Sequence, residues 1–462
     1  MKLPTALVLL LACGSAMPLL AQSSVRPGTR APRYLIRNIG TLSSDITLGV
    51  RGQSINNRGH VHGENTLPAP PGQGKIHGFL WDGHSQQHIM PLSPSVCFSG
   101  GMNDRDQCVG YSFAPSSNLH AYQWDAGLST DVHCGSLNFS KATGINEIGN
   151  ICGTNSRFVS GYIVSQFRPY IQDPLGAWID LGTFGGGTGF AYALNDHDQV
   201  VGTARDATEA THGFIWEHVT GMVDLGTLGG AFATPYGINN FGQVVGTSSN
   251  QAGEFLPFLW EAGVMGSLST LGGTEGNAKG INDYGAMVGN STDAAGVQHA
   301  TLWATGSTTP VDLGTLIRPG TAWDLTGASS INELGEICGT GTLAGNQRAF
   351  RLTPILRRSR LSGAQPGMAG RTNTVFGLGF EPGAVVSLAY GIGLGSTPAP
   401  GCSSAFFGIG NAQVTVNAVA DADGRIEVTV DLPSGLAGTV LYSQALETAN
   451  CRLSEVRSQL IQ

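Results

Sequence analysis

The sequence predicts an all-β chain: a seven-bladed β-propeller closed by an N-terminal strand, followed by a small C-terminal β-sandwich. The segment I-N-N-F-G-Q-V-V-G at 238–246 recurs in seven variants, whose asparagines are Asn56, Asn103, Asn146, Asn195, Asn239, Asn282 and Asn332. Their spacings are 47, 43, 49, 44, 43 and 50, and periods of about 40–50 residues belong to propellers and solenoids. Glycine, at 68 of 462 residues, is about twice as frequent as usual. Each apolar run is four to six residues bounded by Gly, Asn or Ser, which is strand grammar without a helical period.

One repeat, 237–271, shows the elements in order. Gly237-Ile238 ends a first strand, and Asn239-Asn240-Phe241-Gly242 is a turn. Residues 243–247 form a second strand, 257–260 a third and 265–271 a fourth, the last matching V-D-L-G-T-L at 223–228. Asparagine at the first turn position bonds backbone two residues on, and the fourth position wants positive φ. That fourth position holds Gly59, Gly149, Gly242, Gly285 and Gly335, with Asp106 and Asp198 as the two exceptions. Aspartate tolerates left-handed geometry well, so the exceptions obey the same steric rule.

The seventh repeat stops after Leu352 without its fourth strand, whereas Asn38-Ile39-Gly40-Thr41-Leu42 matches D-L-G-T-L ahead of the first turn. Segment 34–42 is therefore expected to complete the last blade, closing the ring and protecting its edges.

Lys2, the apolar run 6–12 and the small residues after it read as an export signal, 1–21, cleaved after Ala21. Leu10-Leu11-Ala12-Cys13 also fits a bacterial lipobox with Cys13 lipidated. Secreted and lipid-anchored forms both stay open, and no later apolar stretch is long enough to span a bilayer. The net charge of −8 and the lack of a basic run argue against nucleic acid as partner.

His77, His120, His212 and His299 open H-G-F-L-W, H-A-Y-Q-W, H-G-F-I-W and H-A-T-L-W. With G-I-N-x-x-G-x-V-V-G and D-L-G-T-L-G-G, these motifs resemble the bacterial extracellular HAF-repeat proteins over 34–352. The third, fifth and seventh repeats depart from the pattern, with Pro169-Tyr170-Ile171-Gln172, Leu256, and Arg348 and Leu352. The resemblance implies repeat architecture and export, and no reaction or ligand.

After Leu352 the period is lost. Residues 353–360, with Arg357, Arg358 and Arg360, read as a linker, and 361–462 as a β-sandwich with a hairpin turn at Asp421-Ala422-Asp423-Gly424. This module is similar to C-terminal modules of some secreted bacterial proteins. Cys402 and Cys451, isolated from the other cysteines in an exported chain, are expected to form a disulfide. Cys108, Cys152 and Cys338 stand at apolar repeat positions and read as core; the pairing of Cys97, Cys108, Cys134, Cys152 and Cys338 stays open.

Trp81, Trp124, Trp216, Trp260 and Trp303 recur at one strand position and read as packing between blades. Trp178 and Trp323 lie off the series and are the candidates for an exposed surface. The repeat histidines are expected to bond backbone rather than bind metal, since each sits on a different blade. Asp180, Asp224 and Asp312 are expected to bond neighbouring turns. No G-x-S-x-G, H-E-x-x-H or paired CxxC appears, and no catalytic residue, metal or cofactor is assigned.

The expected function is an exported, non-catalytic interaction or structural propeller presenting loops, notably 64–75 and 155–167, to a protein or glycan ligand. The alternative is an extracellular lyase or glycosidase whose site would gather scattered groups such as Glu64, Tyr162, Asp206 and Glu209.

Overall fold

Seven turns of one kind organise the chain. At the fourth turn position all seven residues have positive φ, from 59° at Asp198 to 94° at Gly149, as the steric argument requires. Each asparagine Oδ1 accepts the backbone N–H four residues on, for example Gln243 N–H at 3.0 Å from Asn239. The computed structural model describes residues 34–42, 49–68, 75–93, 96–133, 139–158, 165–356, 358–399, 402 and 405–461. The segment 1–21 expected to be an export signal, with Cys13, and Cys134, Tyr162 and the centres of loops 64–75 and 155–167 lie outside these residues.

Among the described residues the chain is all-β and propeller-like, without α-helix. Around each turn stands a four-stranded antiparallel sheet. The fifth is Gly229–Ile238, Val244–Asn250, Phe255–Glu261 and Val264–Ser267. Its fourth strand ends earlier than the expected 265–271, because D-L-G-T is itself a turn. In the neighbouring repeat Asp224 Oδ1 accepts Gly226 N–H at 2.8 Å and stops the strand at Asp224. The following glycine pair then begins the next inner strand, Gly229–Ile238.

The glycine of V-V-G has a steric cause. A Cβ on Gly246 would lie 2.1 Å from the carbonyl oxygen of Thr234 on the bulged inner strand and 2.7 Å from the Phe258 ring. The aromatic residue of the H-x-F motif covers this glycine as its cross-strand partner, as in Gly202–Phe214 and Gly246–Phe258. The motif tryptophans pack in the seams between consecutive sheets: Trp216 meets Cys152 and Ile171 of the preceding sheet, and Trp81 meets Cys338 and Ala349. Cys97, Cys108, Cys152 and Cys338 are buried free thiols, and burial pushes Cys152 up to about 12.

The seventh sheet runs Trp323–Ile331, Ile337–Leu343, Asn346–Pro354 and then Tyr34–Asn38, in register from Tyr34–Pro354 to Asn38–Phe350. Asn38 Oδ1 accepts Gly40 N–H at 3.1 Å, so Asn38 does here what Asp224 does in its turn. Tyr34 and Ile39 are both buried.

Beyond the seventh sheet, Thr372–Leu378 and Arg425–Asp431 pair in one sheet, while Val385–Gly391, Gln413–Val419 and Val440–Glu447 pair in another. Val375, Ile426 and Val428 of the first share a core with Leu388, Leu441 and Ala445 of the second. Cys402 is bonded to Cys451, with Cα atoms 5.6 Å apart. The stretch read as a linker is largely built into structure: Thr353 and Pro354 belong to the last strand of the repeats, Ser359 is buried, and Arg360 pairs with Leu378. Tyr284 Oη donates to Leu361 O at 2.7 Å, and Arg58 reaches both carboxylate oxygens of Glu427, at 3.1 and 2.7 Å. These contacts tie the two parts, within the described residues 34–461, into one compact unit.

Removing residues up to 48 should expose the Asn346–Pro354 edge and forfeit burial of Tyr34 and Ile39, worth about 3–6 kcal/mol together. A thermal melt with size-exclusion chromatography should show a lower transition and aggregation. A truncated chain that melts like the chain that keeps residues 34–48 would contradict this role of the N-terminal strand.

Candidate axial funnel and the carboxylate collar beneath it

The inner strands of all seven sheets line one axial passage. Ile55, Met102, Ile145, Leu194, Ile238, Ile281 and Ile331, the residues before each turn asparagine, border two chambers in it, one on either side. This apolar collar separates two different chemistries.

On the turn side, each asparagine Nδ2 donates to the backbone oxygen of the next repeat's asparagine, from Asn56 to Asn103 at 3.1 Å round to Asn332 to Asn56 at 2.8 Å. A second cycle runs beside it. The N–H after each asparagine donates to the side chain of its counterpart in the next sheet: Asn57 to Asp104 at 2.6 Å, Asp104 to Glu147 at 2.6 Å, Glu147 to Asp196 at 2.9 Å, and Asp196 to Asn240 at 3.0 Å. It continues from Asn240 to Asp283 at 2.9 Å, Asp283 to Glu333 at 2.8 Å and Glu333 to Asn57 at 2.9 Å. Sequence reading had given the asparagines only a role within their own turns and had passed over the residue after them. The signal was present, since that residue is Asn, Asp or Glu in every repeat.

Five carboxyl groups thus ring a chamber of about 210 Å³. Burial raises Asp104 to about 6 and Asp196 to about 7, against the hydrogen bonds that favour their charged forms. Burial, and then the neighbouring charges of Asp104 and Asp196, raise Glu147 well above the usual carboxylate range. The C-terminal part covers this end: Gln365 lines the chamber, and the Arg457 guanidinium lies 3.8 Å from the Tyr284 ring and 3.7 Å from Glu333. Glu336 is fully buried beside Arg425 and Arg351; burial opposes its ionisation, yet the two cations lower its pKa.

The other chamber, of about 500 Å³, is lined by Tyr111, Tyr192, Tyr236, Lys141 and Lys279 together with Gln53, Ser99, Thr143 and Ser329. Gln53, Thr143, Tyr192, Tyr236, Lys279 and Ser329 all stand two residues before the collar residue, each at the point where a bulge shifts the register of its inner strand. The hairpins between second and third strands, including 64–75 and 155–167, leave the sheets on this same side, as the pairings Val50–Asn65 and Ser140–Asn155 require.

The scattered candidates do not gather into one site. Glu64 accepts Ser99 N–H at 3.0 Å at the funnel wall, whereas Asp206 and Glu209 belong to an exposed hairpin closed by Arg205. Trp178 is exposed, and Trp323 lies half-buried edge-on to Phe350. The repeat histidines do not rest on backbone as expected. His120 and His212 contact Asp131 and Asp224 at 2.8 Å, His299 contacts Asp312 at 3.4 Å, and His77 contacts His88 at 2.6 Å. Arg168 takes the histidine position in the third repeat and pairs with Asp180 at 3.1 Å. The aspartate of D-L-G-T thus holds its own turn and the side chain that opens the H-x-F motif together. Among the described residues, no group of three His, Cys, Asp or Glu side chains is placed to hold a metal ion.

No family model and no curated protein matches this chain. Solved structures similar to it include TolB from Acinetobacter baumannii, at 11% identity and TM-score 0.37 over 66% of this chain and 63% of that one. A puromycin-hydrolysing peptidase from Mycobacterium tuberculosis is 11% identical, with TM-score 0.47 over 77% and 64%. The β-propeller domain of the Trilobed protease from Pyrococcus furiosus is 10% identical, with TM-score 0.45 over 66% and 93%. The chain spans less than two thirds of the length of the first two. These likenesses bear on fold alone.

The raised carboxyls set a pH dependence. A carboxyl whose pKa is higher folded than unfolded favours folding while protonated, and this stability is lost as pH rises between the two values, here from about 4 to about 7. Glu147→Gln mimics the protonated form and keeps an oxygen for Asp104 N–H. Its melting temperature should exceed that of the parent by several degrees at pH 8, and the gain should vanish near pH 4.5. Equal differences at both pH values would contradict the assignment.

Proposed function

We propose that this chain is an exported, closed seven-bladed β-propeller with a C-terminal β-sandwich, and that it binds a ligand without transforming it. In this reading it belongs with the bacterial extracellular HAF-repeat proteins, secreted or held at the cell surface. The observation that carries the binding role is the open chamber of about 500 Å³ walled by three tyrosines and two lysines, a size usual for ligand sites. The wall differs from sheet to sheet at one repeat position, from Ser329 to Tyr236 to Lys279, whereas the collar one turn below is uniformly apolar. A scaffold that holds its frame constant and varies one inward position is built for recognition. The hairpins on the same side extend that surface toward a protein or glycan.

The lyase or glycosidase alternative finds less support. Glycoside hydrolysis ordinarily needs two carboxyl groups about 5–9.5 Å apart on the reacting bond. No described carboxylate lines the funnel, and the nearby Glu64 is engaged by Ser99.

Arrays of glycans and secreted proteins probed with the mature chain should yield a ligand whose binding weakens at least tenfold, about 1.4 kcal/mol, in the Tyr192→Ala/Tyr236→Ala variant. Full retention of binding by that variant, or turnover of the bound ligand by the parent, would overturn the reading.

A further inference from the structure

The charge in the funnel runs against the charge of the whole molecule. The chain carries a net −8, yet the funnel lining contains two lysines and no carboxylate. Lys141 comes from the third sheet and Lys279 from the sixth, nearly opposite each other in a cycle of seven. Among the described residues, no carboxylate lies within 4.0 Å of either ammonium. Lys141 instead lies 5.3 Å from the Phe190 ring centre. Arg51, on the strand that carries Gln53, adds a third cation near Glu64, which lies beside the lining and accepts Ser99 N–H. The balance is two positive charges in excess. Desolvation by the surrounding walls, and for Lys279 also Arg51, lowers both lysine pKa values, although Lys279 keeps an exposed side chain.

The remainder of the lining suits a sugar. Tyr192 and Tyr236 stand at the same position of neighbouring sheets with ring centres 6.3 Å apart, and Phe98 stacks on Tyr111 at 4.7 Å. Aromatic faces receive the apolar face of a pyranose. Gln53 and Ser329 supply side-chain donors and acceptors around them, while Ser99 and Thr143, whose hydroxyls donate to Gly63 O and Ala191 O, offer acceptors. The inner strands end their sheets with one edge unpaired, so an extended acidic peptide is the competing ligand, and hexaglutamate stands for it in the titration.

We propose, building on the binding role above, that the funnel accepts an acidic oligosaccharide, carboxylated or sulfated, whose anionic groups are met by Lys141 and Lys279 while its rings lie against Tyr192 and Tyr236. The acid group explains the lysines, and the ring faces explain the tyrosines.

Calorimetric titration of the mature chain with tri-galacturonate, with a sulfated carrageenan oligosaccharide, with maltotriose and with hexaglutamate tests this. At least one acidic sugar should bind tenfold or more tightly than maltotriose and hexaglutamate, and its affinity should fall as salt is raised from 50 to 500 mM. Tri-galacturonate binding alone would assign a carboxylated ligand, and carrageenan binding alone a sulfated one. Lys141→Gln/Lys279→Gln should remove that preference at an unchanged melting temperature, since Gln53 already occupies the second position in the first sheet. Binding of neither acidic sugar, equal binding of maltotriose, or preference for hexaglutamate would overturn the proposal. Maltotriose binding that is lost with Tyr192→Ala/Tyr236→Ala but indifferent to the lysines would leave the funnel as a site and remove its acidic specificity. Acidic-sugar binding indifferent to both pairs would remove the funnel itself.

Discussion

The amide cycle at the seven turns is the constraint on which the rest depends. An asparagine side chain has two functional ends, and here both are used. The oxygen holds the local turn, and the nitrogen reaches the backbone of the next sheet. Each such bond contributes about 0.5–1.5 kcal/mol net, but a buried donor left unmet costs about 1–3 kcal/mol. The cost of a gap is therefore larger than the gain of any one bond. Because the last donor, on Asn332, is met by Asn56, the cycle leaves no such gap. The same geometry brings the residues after the asparagines together, which is why carboxyl groups accumulate at the axis.

That accumulation divides the passage functionally. Five carboxyls on one side of the apolar collar would repel an anion, and burial raises the pKa of each. The C-terminal part lies over them and supplies Arg425 and Arg457, so it answers charge as well as covering surface. The opposite chamber is left open and carries lysine and tyrosine instead. A stable frame and a variable wall thus come from the same inner strands, the wall from the residue at each strand's bulge.

Much of the frame was legible because it recurs. The positive φ at Asp106 and Asp198, the N-terminal strand answering the missing one after Leu352, and the pairing of Cys402 with Cys451 all followed from residue type and position. The repeat motif also located the tryptophan seams. What escaped was of two kinds. Contacts beyond the local turn, such as Asn239 Nδ2 to Asn282 O between sheets or His212 to Asp224 across one sheet, depend on distances that no local pattern states. The funnel escaped for the opposite reason: Tyr192, Tyr236 and Lys279 occupy one repeat position but share no chemistry, so a search for what recurs passes over them. The fourth strand was drawn too long because Asp224 was read as a strand residue, whereas its carboxylate ends the strand.

The most direct test of the closed cycle is hydrogen–deuterium exchange at the seven backbone amides that follow the turn asparagines, at 57, 104, 147, 196, 240, 283 and 333. Each donates to the neighbouring sheet, so all seven should exchange slowly and lose protection together as denaturant is raised. Fast exchange confined to residues 333 and 57, with protection rising away from them, would mean that the first and last sheets are not joined and that the cycle is open.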